Sequence, residues 1–127
     1  MNREEIKVSY GAGRYEIYIT SVITGDGISV IITGGEKPHV GGTALCVPRK
    51  SLAGDTVSYD TWITPVPGHK DVEIAVPVAQ KVCLETGQTT AVVAGIHIDK
   101  PEAREIRLLV ENSGEAAKLL IEQIKSL

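Results

Sequence analysis

Between residues 14 and 33 the side chains alternate in character with a period of two. Tyr15, Ile17, Ile19 and Ile23 share one parity, while Glu16, Tyr18, Thr20 and Val22 take the other. In an extended chain that periodicity sends the two sets to opposite faces of a sheet. Thr24-Gly25-Asp26-Gly27 interrupts the pattern with residues that tolerate positive φ, and β-branched residues resume over 28–33. The spacing predicts an antiparallel hairpin. Composition extends the inference: 14 Val and 14 Ile stand against 8 Leu, with 10 Thr, and β-branched side chains suit a pleated sheet better than a helix.

A strand precedes the hairpin, since Ile6, Val8 and Tyr10 alternate before Gly11-Ala12-Gly13. A fourth strand is expected over 43–47, closed by Pro48, and a fifth over 57–63, with residues 49–55 a polar loop between them. The string TPVPGH over 64–69 excludes helix and central strand. Val72, Ala75, Ala79, Val82 and Cys83 then recur at helical spacing, with Asp71 placed to cap and Gly87 to stop. Pro77 argues against an unbroken interior and marks a candidate first turn. Residues 91–98 are continuously apolar apart from His97, which suits a strand covered on both faces. Asp99-Lys100-Pro101 opens a final helix, in which Ile106, Val110, Ser113, Ala117, Leu120, Ile124 and Leu127 keep one register across Gly114. Five strands with hairpin connections, a helix, a strand and a helix define an α+β fold. The sheet is mainly antiparallel, of about six strands, with two helices covering one face.

A length of 127 residues predicts one domain, 1–127, large enough to bury a core without disulfides. The net charge is -3 and no window gathers a basic stripe, which argues against nucleic acid as a partner. Apolar runs such as 91–98 fall far short of the about 20 residues a membrane helix needs. The opening MNREEIKVSY carries two carboxylates where an export signal has a basic region, so a cytoplasmic location is expected. Cys46 and Cys83 each sit in an apolar stretch and are expected as buried thiols.

Polar chemistry concentrates at three junctions. Residues 34–42, GGEKPHVGG, hold four glycines with Lys37, Pro38 and His39 between two strands. Such glycines let backbone N–H groups approach a phosphate, and Lys37 adds charge for an anion. They equally suit a wide hairpin loop without a ligand. Pro67-Gly68-His69-Lys70-Asp71 enters a helix whose first donors attract anions or are simply capped. Gly95-Ile96-His97-Ile98-Asp99 ends the apolar run, with its histidine either hydrogen-bonded structure or a ligand. His39, His69 and His97 would form a metal site if their loops met, although no pair has the HExxH spacing. Cys46 and Ser51 lack a nucleophile signature. Trp62, Tyr59 and Tyr18 are the aromatic candidates for stacking on a ring, or for the core.

Three strings, ITGGEKPHVGGTAL, TPVPGHKD and VVAGIHIDKPEAREIRLLVEN, resemble the family of prenylated-flavin chaperone-like proteins. These are the accessory subunit type associated with gallate decarboxylase, similar in turn to proteasome assembly chaperones. The likeness spans roughly residues 28–112. It implies an accessory protein that assists a decarboxylase using prenylated flavin mononucleotide. The family signature falls on Gly34, Gly35, Lys37, Pro38, His39 and Gly41, then Gly68, His69, Lys70 and Asp71, then Gly95, His97 and Asp99. Gly42-Thr43 and Pro77 depart from the pattern.

Residues and resemblance meet at one requirement. A prenylated FMN, or FMN itself, needs N–H donors and a cation for its phosphate and an apolar wall for its ring. The expected protein is a noncatalytic chaperone with a decarboxylase client, forming a homo-oligomer such as a dimer. The alternatives are a small metal-dependent enzyme using His39, His69 and His97, or a homodimeric interaction module.

Overall fold

The computed structural model describes residues 3–127. Its strands are β1 (Glu4–Tyr10), β2 (Ile17–Ile23), β3 (Ile28–Gly35), β4 (Gly42–Lys50), β5 (Val57–Pro65) and β6 (Thr90–His97). The helices are α1 (Val72–Thr86) and α2 (Ala103–Lys125), and a short 3-10 turn, Gly13–Tyr15, joins β1 to β2. The six strands form one sheet in the order β1-β2-β3-β6-β4-β5. Every pairing is antiparallel except β3 with β6, so the class is α+β with a mostly antiparallel, mixed sheet.

The expected hairpin of β2 and β3 is present, with Ile23 opposite Ile28 across the Gly25–Gly27 turn. The expected hairpin from the third to the fourth strand is not. β6 lies between β3 and β4, pairing Ile28 to Gly35 with Thr90 to His97 on one side and Gly42 to Cys46 on the other. Residues 36–41 therefore cross the end of β6 rather than turn between neighbours. A wide hairpin loop is thereby excluded for this segment.

The apolar run of β6 follows from its central place and not from cover on both faces. Thr90, Val92, Ala94 and Ile96 are buried beneath the helices, whereas Ala91 and Val93 on the other parity stay half-exposed. β4 continues past Pro48 to Lys50 because beyond Cys46 it pairs only with β5. A proline's missing donor is tolerated where one side of a strand is open.

Both helices cover the same sheet face, α1 over β4, β5 and β6 and α2 over β1 and β2. Ile17, Ile19, Ile23, Val30 and Ile32 meet Ala75, Ala79, Val82, Ala117 and Leu120 in the core. Each fully buried Val, Ile or Leu side chain contributes about 1.5–3 kcal/mol. α1 begins at Val72, five residues before Pro77, which stays inside the helix. Pro77 and Glu73, whose carbonyl loses its partner, are both exposed, so water can take the place of the lost bond. Gly87 stops the helix at φ 68. α2 is unbroken at Gly114, and Glu102 with Glu105 forms a reciprocal capping box two positions past Lys100.

The buried stripe of α2 keeps the expected Ser113, Ala117, Leu120 and Ile124 and departs from the expectation in its first turns. Leu109, Asn112, Ser113, Ala116 and Leu120 are buried, while Ile106 and Val110 are exposed beside a cleft. Cys46 and Cys83 are buried free thiols, and burial followed by the Cys46 neighbour pushes the Cys83 thiol up to about 12. Among the described residues, no helix is long and apolar enough to cross a membrane.

Candidate functional site

The parallel pair β3 and β6 ends at one edge, with Gly35 opposite His97. The crossing segment is fastened there by its own backbone. Glu36 and Lys37 both donate to the His97 carbonyl, at 2.7 and 3.3 Å, His39 donates to Gly95 at 3.5 Å and Gly41 to Ala94 at 2.9 Å. These donors are taken up by β6, so the segment is not a phosphate-cradling loop of free N–H groups. An anion must be met by its side chains.

Gly95 makes this crossing possible, because a Cβ there would strike the His39 backbone. Gly35 adopts φ 74 where the strand bends away. Gly34 packs against the backbone of Glu16 and lies away from the cleft, as does Pro38.

Asp71 is 6% exposed and does not cap α1 as the sequence suggests; it makes no side-chain bond to the helix. Its Oδ1 accepts the Ile96 N–H at 2.9 Å, and its Oδ2 pairs with His39 Nε2 at 2.9 Å. His39 Nδ1 lies 3.0 Å from the Lys37 carbonyl, which only accepts, so that nitrogen carries a proton. The imidazolium form satisfies both contacts. The Lys37 carbonyl and then Asp71 raise the His39 pKa above its ordinary 6.5, against the opposing effect of burial.

His69 brings Nδ1 to 3.9 Å from Asp71 Oδ2, and its ring lies 4.7 Å from that of His39. The His97 ring is 6.4 Å from His39 and is held through Nε2 by Asp99 Oδ1 at 3.0 Å. That hydrogen bond, followed by the charge of Lys37, holds the Asp99 carboxyl below its usual range. Lys37, His39, His69 and His97 share one depression of about 300 Å³. The same three histidines also line a deeper cleft of about 330 Å³ with Gly68, Lys70 and Asp71.

The cleft's wall is apolar: Ile74 from α1, Ile96 from the end of β6 and Ile98 just past it, and Ile106, Leu109 and Val110 from α2. Sequence reasoning assigns Ile106 and Val110 to the core, because their spacing is the same for a core stripe and a cleft wall. It misses altogether the brace that places α2 here. Tyr15 donates to Glu105 at 2.6 Å, and Arg14 reaches Glu36 at 3.5 Å, Glu105 at 3.8 Å and the Asp99 carbonyl at 3.2 Å. None of the aromatic stacking candidates lines the cleft. Parity sends Tyr18 and Trp62 to the open sheet face, and Tyr59 packs against the core.

The structure thus joins Lys37, His39, His69, Lys70, Asp71 and His97 around one opening, drawn from three distant segments. The six-stranded sheet with both helices on one face has a counterpart among solved structures. The chain is similar to one in the structure described as "Crystal Structure of a Novel Chaperone Complex for Yeast 20S Proteasome Assembly", with a TM-score of 0.63 and 14% identity over 99% of this chain and 98% of that one. At that identity the likeness concerns fold alone. The family described as "Prenylated flavin chaperone LpdD-like domain" matches residues 11–125, and the chain belongs to it. Comparison with curated proteins gave no match. Family membership supports a chaperone role.

Proposed function

We propose that the protein is a noncatalytic accessory chaperone that holds prenylated FMN for a decarboxylase client in the cytoplasm. One observation carries this reading: a depression lined by Lys37 and three histidines shares those histidines with an aliphatic cleft. The phosphate is met by Lys37, His39 and His69, with His97 and Lys70 at the rim. The ring and its prenyl addition lie along Ile96, Ile106, Leu109 and Val110. The cleft falls within the size range of small-molecule sites, about 300–1,000 Å³. Asp71, Asp99, Gly41 and Gly68 shape the opening, whereas Gly34, Gly35 and Pro38 act through the backbone path.

Calorimetry with FMN and prenylated FMN tests the reading. Lys37→Ala or His69→Ala is expected to weaken binding about tenfold, the loss of one charge-assisted contact. No heat for either ligand, together with no co-purification of a decarboxylase, would overturn it.

The partner surface lies on the opposite side of the sheet. Tyr18, Ile31, Leu45 and Trp62 are 50%, 52%, 39% and 57% exposed and share the face that no helix covers. We assign this face to a second copy of the chain, since exposed apolar patches of this kind mark interaction sites. Light scattering that finds only monomer at high concentration would contradict the dimer.

A further inference from the structure

His39 Nε2, a ring nitrogen of His69 and Asp71 Oδ2 all lie within 4.8 Å of one another. A tetrahedral ion at roughly 2.0–2.2 Å from such ligands holds them about 3.3–3.5 Å apart. The observed separations of 2.9 Å from His39 to Asp71 and 3.9 Å from His69 to Asp71 bracket that spacing. Both ligands nearest the helix entrance already have the partners that orient metal ligands. The Lys37 carbonyl fixes the His39 Nδ1 proton and leaves Nε2 to face Asp71, and the Ile96 N–H fixes Oδ1 and leaves Oδ2 to face His39. Gly41 keeps this place open, since a Cβ there would strike Asp71 Oδ2 and lie 2.8 Å from His39 Nε2.

We propose that His39 Nε2, His69 and Asp71 Oδ2 form a binding site for a divalent first-row transition ion at the mouth of the cleft. Two imidazoles and one carboxylate suit zinc, iron or cobalt better than magnesium or calcium. In the ion-free protein a proton lies between His39 Nε2 and Asp71 Oδ2. Binding releases that proton to solvent and forms bonds from Nε2, Oδ2 and the His69 nitrogen to the ion. The remaining coordination position is left for water or a phosphate oxygen, with Lys37 and His97 lining the same depression. The phosphate part rests on the flavin reading above; the ion site does not.

The test uses full-length protein without an affinity tag, stripped by chelator and free of flavin. Zinc is titrated by calorimetry and cobalt by visible absorption. One equivalent is expected to bind, with proton release, and a tetrahedral cobalt spectrum is expected. His69→Ala, at an exposed ring, is expected to keep the fold and weaken zinc binding at least about tenfold, with His39→Gln doing the same. Absence of saturable zinc binding, or an affinity unchanged in His69→Ala, would overturn the site. FMN uptake by chelator-treated protein separates this failure from failure of the flavin reading.

Discussion

Asp71 Oδ1 accepts a hydrogen bond from the Ile96 N–H at 2.9 Å, tying the entrance of α1 to the end of β6 across 25 residues of sequence. The carboxylate that local sequence offers to the helix serves the sheet instead, and it brings His39 with it. Asp71→Ala is expected to cost about 2–3 kcal/mol, because a buried donor and a cationic imidazole both lose their acceptor. Asp71→Asn keeps an oxygen for Ile96 and is expected to cost about 1 kcal/mol. Urea unfolding measures both; equal losses would show that the Ile96 bond contributes nothing.

Gly95 is set by the backbone that crosses it. Gly95→Ala would drive a methyl into the His39 main chain and is expected to cost about 3 kcal/mol or more, or to prevent folding. Gly54 is the contrast, since a methyl group added there would meet no atom within 4 Å. Gly54→Ala is expected to change stability by less than about 0.5 kcal/mol. Thermal unfolding of the two variants side by side decides the point.

His39 and Glu105 give stability opposite dependences on pH, with Asp99 and Glu85 acting in the same sense as Glu105. His39 binds its proton more tightly in the folded protein, so its contribution is complete below 6.5 and fades as pH rises through the higher folded value. Glu105 has the opposite sense. The Glu102 backbone N–H bond and then Tyr15 lower its carboxyl, so its contribution is present above 4.5 and fades as pH falls further. Unfolding free energy in the presence of chelator is expected to plateau between about 4.5 and 6.5. His39→Gln is expected to remove the decline on the alkaline side, and a decline that persists would assign it to another group.

Local periodicity is a good guide where the period has one meaning. The alternation of Ile17, Ile19 and Ile23, the turn at Gly25 and Gly27, and the αL stop at Gly87 all act within a few residues. Long-range order is not legible in that way. That β6 inserts between β3 and β4 depends on α1 returning the chain, and no residue in the 34–42 segment records it. The convergence of His39, His69 and His97 follows from this insertion, so spacing alone could not show it. Ile106 and Val110 have core spacing but border a cleft, because Glu105, Leu109 and Asn112 face inward in the first turns of α2. Asn112 does so to donate to the Tyr15 carbonyl at 2.9 Å, a partner 97 residues away.

The open sheet face should respond to charge. Ile31→Glu is expected to weaken a dimer by about 2 kcal/mol, roughly thirtyfold in dissociation constant, without loss of secondary structure. Sedimentation across a concentration series measures this. Unchanged association would place the partner elsewhere.

The location of the flavin is the central claim, and the backbone amide spectrum of isotopically labelled protein tests it most directly. Addition of FMN is expected to shift the resonances of Lys37, Gly41, His69 and Ile98 together with those of Leu109 and Val110. Shifts absent at saturating FMN, or confined to Ile31, Leu45 and Trp62 on the far face, would contradict it.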